Sequence, residues 1–167
     1  MKWIITIVSM TTVAALVVGG AQAGGALSRD FLVGAAERPA VGVPGVFVHP
    51  VVAAFSGPNG ENASGLFWLE GVENGVPRPF SGTITCLHVE GNRAVAGGVV
   101  TKSELTNAPV GSGALIQVTD NGLPGAGRDT NVNFTGYGGS DPELTTCPSN
   151  DFPEIAITKG NFAVHDE

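Results

Sequence analysis

Short runs of alternating apolar and polar residues, separated by turn-forming residues, account for most of this chain. Val46–Ser56 (VFVHPVVAAFS), Ser64–Glu70 (SGLFWLE), Phe80–Glu90 (FSGTITCLHVE), Arg93–Thr101 (RAVAGGVVT), Ala114–Asp120 (ALIQVTD) and Asp129–Tyr137 (DTNVNFTGY) each carry β-branched, aromatic or Leu residues at period-two spacing. That spacing predicts half-buried strands. Glu154–Thr158 and Asn161–His165, divided by Lys159-Gly160, predict the last one or two. Gly57-Pro58-Asn59-Gly60, Asn74-Gly75 and Glu90-Gly91-Asn92-Arg93 supply the turn chemistry between them. Longer Gly- and Pro-rich loops are expected at Asn121–Gly127 and Gly138–Asp151. No segment shows a helical period. The pattern predicts an all-β, antiparallel meander of about seven or eight strands, folded as a small up-and-down barrel, with a β-sandwich as the alternative.

Two positions disturb the alternation. Pro50 removes a ladder donor, so its strand lies at an edge or is bulged there. Gly97-Gly98 in mid-strand implies a bulge, a bend or a close neighbour. Residues 24–44 read as a flexible or irregular lead-in with room for one short strand near Asp30–Arg38, and residues 45–166 as a single β-domain.

Residues 1–23 have a different grammar. Lys2 precedes an apolar run from Trp3 to about Val18, Gly19-Gly20 breaks it, and Ala21-Gln22-Ala23 follows as an A-x-A triplet. This is the pattern of a secretory signal, cleaved between Ala23 and Gly24. A retained anchor is the rival reading. The run is short of the roughly 20 apolar residues a spanning helix needs, and it carries Thr6, Ser9, Thr11 and Thr12. No later segment is apolar enough to be transmembrane. The expectation is a secreted, extracellular protein.

Composition sharpens this. Fifteen acidic residues face eight basic ones, with a net charge of −7, which argues against nucleic acid and against an acidic membrane surface as partners. The two cysteines, Cys86 and Cys147, are expected to form one disulfide in an oxidising compartment. Spacing for zinc is absent.

Three ordered motifs carry a family resemblance. They are Val89-Glu90-Gly91-Asn92-Arg93-Ala94-Val95 with Gly97-Gly98, then Val118-Thr119-Asp120-Asn121-Gly122-Leu123-Pro124-Gly125 with Asp129, then Lys159-Gly160-Asn161-Phe162 with Val164-His165-Asp166. Across most of residues 45–166 the chain resembles a group of secreted bacterial, largely actinobacterial, β-proteins with the motifs V-x-G-N-x-A, D-N-G-x-P-G and G-N-x-x-V-H. The resemblance implies export and a β-fold, and assigns no activity.

Candidate chemistry is sparse. Asp120, Asn121 and Asp129 offer oxygens from a Gly-containing loop, the kind of donor calcium takes, yet the D-x-D-x-D-G run is missing. The competing reading is a loop whose Asx side chains bond their own backbone. His49, His88 and His165 each fall in a predicted strand in apolar surroundings, without paired spacing. Gly111-Ser112-Gly113 lacks the strand-to-helix setting of a nucleophile elbow. Phe67, Trp68 and Phe134 are the candidate ligand-lining aromatics, and because Phe67 and Trp68 are adjacent, one of them is expected to face outward. The functional expectation is an exported non-enzymatic β-module with a structural, adhesive or envelope-associated role. The alternative is a lipocalin-like barrel carrying a small apolar ligand, and an enzyme of unrecognised type ranks third.

Overall fold

The computed structural model describes residues 29–122, 129–135, 145–147 and 152–167. The leader 1–23, the Ala23–Gly24 cleavage point and most of both long loops lie outside the described residues. The strands are β1 (Asp30–Pro39), β2 (Phe47–Val48), β3 (Val51–Ser56), β4 (Ser64–Glu73), β5 (Val76–Glu90), β6 (Arg93–Ser103), β7 (Gly113–Thr119), β8 (Thr130–Thr135), β9 (Ile155–Ala156) and β10 (Lys159–His165). Nine run in the order β10-β1-β3-β4-β5-β6-β7-β8-β9, all antiparallel, and β2 pairs β1 off that path. The protein is all-β, a meander curled into a half-barrel.

Sequential strands pair because their connections are short. Asn74 and Gly75 both take positive φ (53° and 77°), as a two-residue hairpin turn requires, and join β4 to β5. The segment 24–44, read as a lead-in, holds β1, a ten-residue strand hydrogen-bonded to β3 on one side and β10 on the other. Its low-propensity Gly34-Ala35-Ala36 centre is held in the sheet by these two neighbours. The run 46–56 splits at His49-Pro50 into β2 and β3, and the Pro50 carbonyl accepts the Ala36 N–H at 3.0 Å. Pro50 therefore marks the point where the run changes: β3 after it is paired on both sides, by β1 and β4, whereas β2 before it pairs β1 alone.

The inner face is one hydrophobic cluster that includes Leu32, Val52, Phe67, Phe80, Ile116 and Phe162. Phe67 meets Phe80 edge-on at 6.2 Å. Gly82 of β5 and Gly98 of β6 make room for it: a Cβ at Gly82 would stand 2.5 Å from the Phe67 ring, and one at Gly98 3.0 Å from it. Gly97-Gly98 also faces a β-bulge. The pairs Ile84↔Gly98 and Cys86↔Gly97 leave Thr85 as the extra residue on β5. The bulge changes which side chains point inward. Phe80, Gly82 and Ile84 are buried before it, Leu87 and Val89 after it. Cys86 is thereby turned to the outside, where it bonds Cys147.

A smaller outer cluster lies over β6 and β7, where Phe134, Cys147 and Phe152 pack on Val95 and Leu115. Gln117 pins this cover. Its Nε2 donates to the Phe152 carbonyl at 3.0 Å and to Glu154 Oε1 at 2.7 Å, and its Oε1 accepts from Arg93 at 2.7 Å. Gly113–Val118 of β7 is consequently buried on both faces.

Backbone pairing stops between β10 and the β7–β8 side of the sheet, and carboxylates take over. Asp129, 1% exposed, accepts the Phe162 N–H at 2.9 Å and the Asn121 N–H at 3.1 Å. Asp120 accepts the Val164 N–H at 3.1 Å and the Gly122 N–H at 2.8 Å. These donors belong to the β10 edge and to the residues following β7, groups that are costly to leave unbonded when buried.

Candidate functional site

The outer face of β1, β3 and β4 is left open. On each strand the residues that alternate with the core point outward. Cross-strand registers stack them in three rungs: Phe31, Phe55 and Ser64; Val33, Ala53 and Leu66; Ala35, Val51 and Trp68. Leu66 is 65% exposed and Trp68 38%, and Val51 and Phe55 are exposed as well. Phe31 stacks on His165 of β10, with ring centroids 5.1 Å apart. At ~3.4 Å per residue and ~4.8 Å per strand, the face measures about 14 Å by about 10–14 Å. None of its three rungs carries a charge. The other outer face, over β6 and β7, is covered at Val95 and Leu115 by Phe134, Cys147 and Phe152.

Polar groups border it. Beside Trp68 is a shallow pocket of about 100 Å³ lined also by Pro79, Phe80, Ser81, Lys102 and Glu104. Below the third rung is a charged cluster. His49 Nδ1 lies 3.0 Å and its Nε2 3.5 Å from Glu70 and Glu37 respectively, and Lys159 Nζ contacts Glu37 at 3.1 Å. Hydrogen bonds from the Lys159 ammonium, then from the Thr158 hydroxyl, hold the Glu37 carboxyl below the usual carboxylate range.

The structure separates the three aromatics proposed as ligand-lining. Phe67 is in the core, 4% exposed; Trp68 is on the open outer face; Phe134 is on the opposite outer face, 4.4 Å from Phe152. Strand alternation explains the first separation and the curl of the sheet the second, so the three do not line one cavity. Ala94, Ala96 and Ala114 are buried in the core cluster with Phe67. The three histidines are exposed instead of lying in apolar surroundings, and they sit on different parts of the sheet. Ser112 is buried, and its hydroxyl donates to the Pro109 carbonyl at 2.7 Å.

Asp120, Asn121 and Asp129 are brought together; the Asp120 and Asp129 carboxylates accept backbone N–H groups, and Asn121 Oδ1 accepts from the Asn92 side-chain amide at 3.4 Å. Among the described residues, no group of three or more His, Cys, Asp or Glu is arranged to hold a metal ion. Cys86 and Cys147 are bonded to each other. Among the described residues, no helix is long and apolar enough to cross a membrane.

Sequence reasoning anticipated an outward aromatic from the Phe67-Trp68 pair and missed the face around it. Leu66 and Trp68 share the parity of Val51 and Phe55 only once the β3–β4 register is known. Comparison of the chain with family models, with curated proteins and with solved structures finds no match.

Proposed function

We propose that this is an exported, non-enzymatic β-module that works by attachment, with an adhesive or envelope-associated role. The observation that carries the reading is the uncharged three-rung face of β1, β3 and β4, open in a chain with a net charge of −7. Contiguous exposed apolar surface with a polar rim is the mark of an interaction site. Trp68 anchors it, because a rigid aromatic offers large contact area at small entropic cost. The Cys86–Cys147 disulfide suits an oxidising compartment, as export requires. The resemblance to secreted bacterial β-proteins supports the same setting.

The test is retention of the purified protein on isolated envelope fractions. Wild type should be retained, and the double variant Leu66→Ser/Trp68→Ser should be released while keeping its circular dichroism spectrum. Equal retention of both would overturn the proposal, as would turnover of an ester, glycan or peptide substrate abolished by substituting one histidine.

A further inference from the structure

One end of the half-barrel is blocked by a cation. Leu32, Ala36 and Arg38 are buried at alternate positions of β1, so Arg38 projects to the core side of the sheet. It is 2% exposed. Its Nη1 donates to the Pro39 carbonyl at 2.9 Å, and its Nη2 donates to Asn133 Oδ1 on β8. The buried Nε has no hydrogen-bond partner. A guanidinium carries five N–H donors, so most of this one's capacity is unused.

No carboxylate among the described residues pairs with it. Glu37, its neighbour in the chain, is engaged by Lys159 and Thr158, and Glu70, which lines the same pocket, by His49. Burying an uncompensated charge opposes folding, and burial lowers the Arg38 pKa to about 10. One strand pair deeper, Asn131 on the same face of β8 has both side-chain polar atoms buried and unpartnered. A fold that keeps such groups where an apolar side chain would fit has a use for them.

Arg38 lines a pocket of about 180 Å³. Its lining is mixed: Ala40, Val41 and Val43 from the β1–β2 turn, Val48 of β2 and Val72 of β4 are apolar, and Glu70 and Gly71 of β4 and Asn133 complete it, with the Glu70 carboxylate held by His49. Concave sites that combine apolar walls with a few oriented polar groups are the usual form of a small-molecule site, and barrel mouths are a usual place for them. At ~30 Å³ per water-sized group, the volume suits about six such groups, a short molecule. Nη1 and Nη2 each already donate once, and the guanidinium's remaining N–H groups are charge-assisted donors suited to a carboxylate oxygen. We infer that this mouth binds a small monocarboxylate with a short apolar body, its carboxylate on Arg38 and its chain against Val41, Val43 and Val72. This site is distinct from the attachment face and stands independently of it.

The experiment is calorimetric and NMR titration of the purified protein with hexanoate. Hexanamide serves as the uncharged isostere and inorganic phosphate as the anion without an apolar body. Hexanoate should bind one saturable site and shift the amides of Val41, Val43, Val72 and Asn133. Hexanamide and phosphate should each bind at least about tenfold more weakly, the loss expected for a missing charge-assisted hydrogen bond or missing apolar burial. Arg38→Gln should weaken hexanoate by a similar factor. Val43→Trp, which fills the mouth from a surface turn and leaves Arg38 in place, should abolish binding. The inference is overturned by no saturable binding, by equal affinity for hexanoate and hexanamide, or by unchanged binding in either variant. It is also overturned by shifts confined to Leu66 and Trp68, which would place the ligand on the open face.

Discussion

The carboxylate of Asp129 accepts the backbone N–H of Phe162 at 2.9 Å, across a gap where the sheet has no strand–strand ladder. Its second oxygen takes the Asn121 N–H. Asp129→Ala would strand the buried Phe162 N–H, at a cost of about 1–3 kcal/mol, and remove the partner of the part-buried Asn121 N–H, at a smaller one. The expected loss is about 3 kcal/mol in urea unfolding, with hydrogen exchange accelerated first at Phe162. Asp120→Ala should act in the same direction at Val164 and more weakly, since Asp120 is only half-buried. Excess chelator should leave the wild-type melting temperature unchanged, because these oxygens are committed to amides.

The Cys86–Cys147 bond closes a loop of 61 residues. In the chain-entropy account, removing it should destabilise the protein by ~4 kcal/mol, through the unfolded state. Cys86→Ser/Cys147→Ser should also loosen the cover over Leu115 and Val95. Hydrogen exchange should then accelerate first at Val95 and Leu115, under Cys147 and Phe152, in a protein whose remaining strands stay protected.

Gly98 and Phe67 are mutually dependent. A Cβ at Gly98 would fall 2.1 Å from the Thr83 carbonyl oxygen and 3.0 Å from the Phe67 ring. Gly98→Ala should cost at least about 1–3 kcal/mol through overpacking. Phe67→Ala should cost about 3–5 kcal/mol through the cavity it leaves. Because the backbone clash at Thr83 persists, the double variant should not recover the stability of wild type, and a thermal melt of all three checks this.

Glu37 gives a pH signature. Its folded pKa is depressed, so the unfolded chain takes up the proton first as the pH falls. Its stabilising contribution is present above the unfolded carboxylate value and is lost as the pH drops through the lower folded one. Lys159→Met removes the largest cause and should move the Glu37 pKa back up toward the ordinary range, read by carboxyl-carbon NMR. The effect on stability should be small, since the Lys159 partner is exposed and the pair is solvent-screened.

Much of this fold is legible in local pattern. The hairpins at Asn74-Gly75 and Gly91-Asn92 follow from turn chemistry, and β4 to β8 from alternation. The Thr85 bulge also leaves a trace, since the inward positions Ile84 and Leu87 are three residues apart instead of two. What is illegible depends on partners distant in sequence. The strand β1 is weak in its own right and exists because Val51–Ser56 and Lys159–His165 flank it. Arg38 reads as the end of a short segment until β1 is extended, when its parity with Leu32 and Ala36 places it inside. Asp120 and Asp129 have the composition of a loop, and only the return of β10 shows what they hold.

The pairing of β1 with β10 also governs how the molecule can fold. Phe31 and His165 are opposite one another in the sheet although they lie near opposite ends of the described chain. During synthesis the first strand therefore has one neighbour only until the final strand is made, and its bare edge can be captured by another unfinished copy. Contacts so far apart along the chain slow the search for the native state. A holding chaperone, or a delay in folding until synthesis ends, would protect that vulnerable interval.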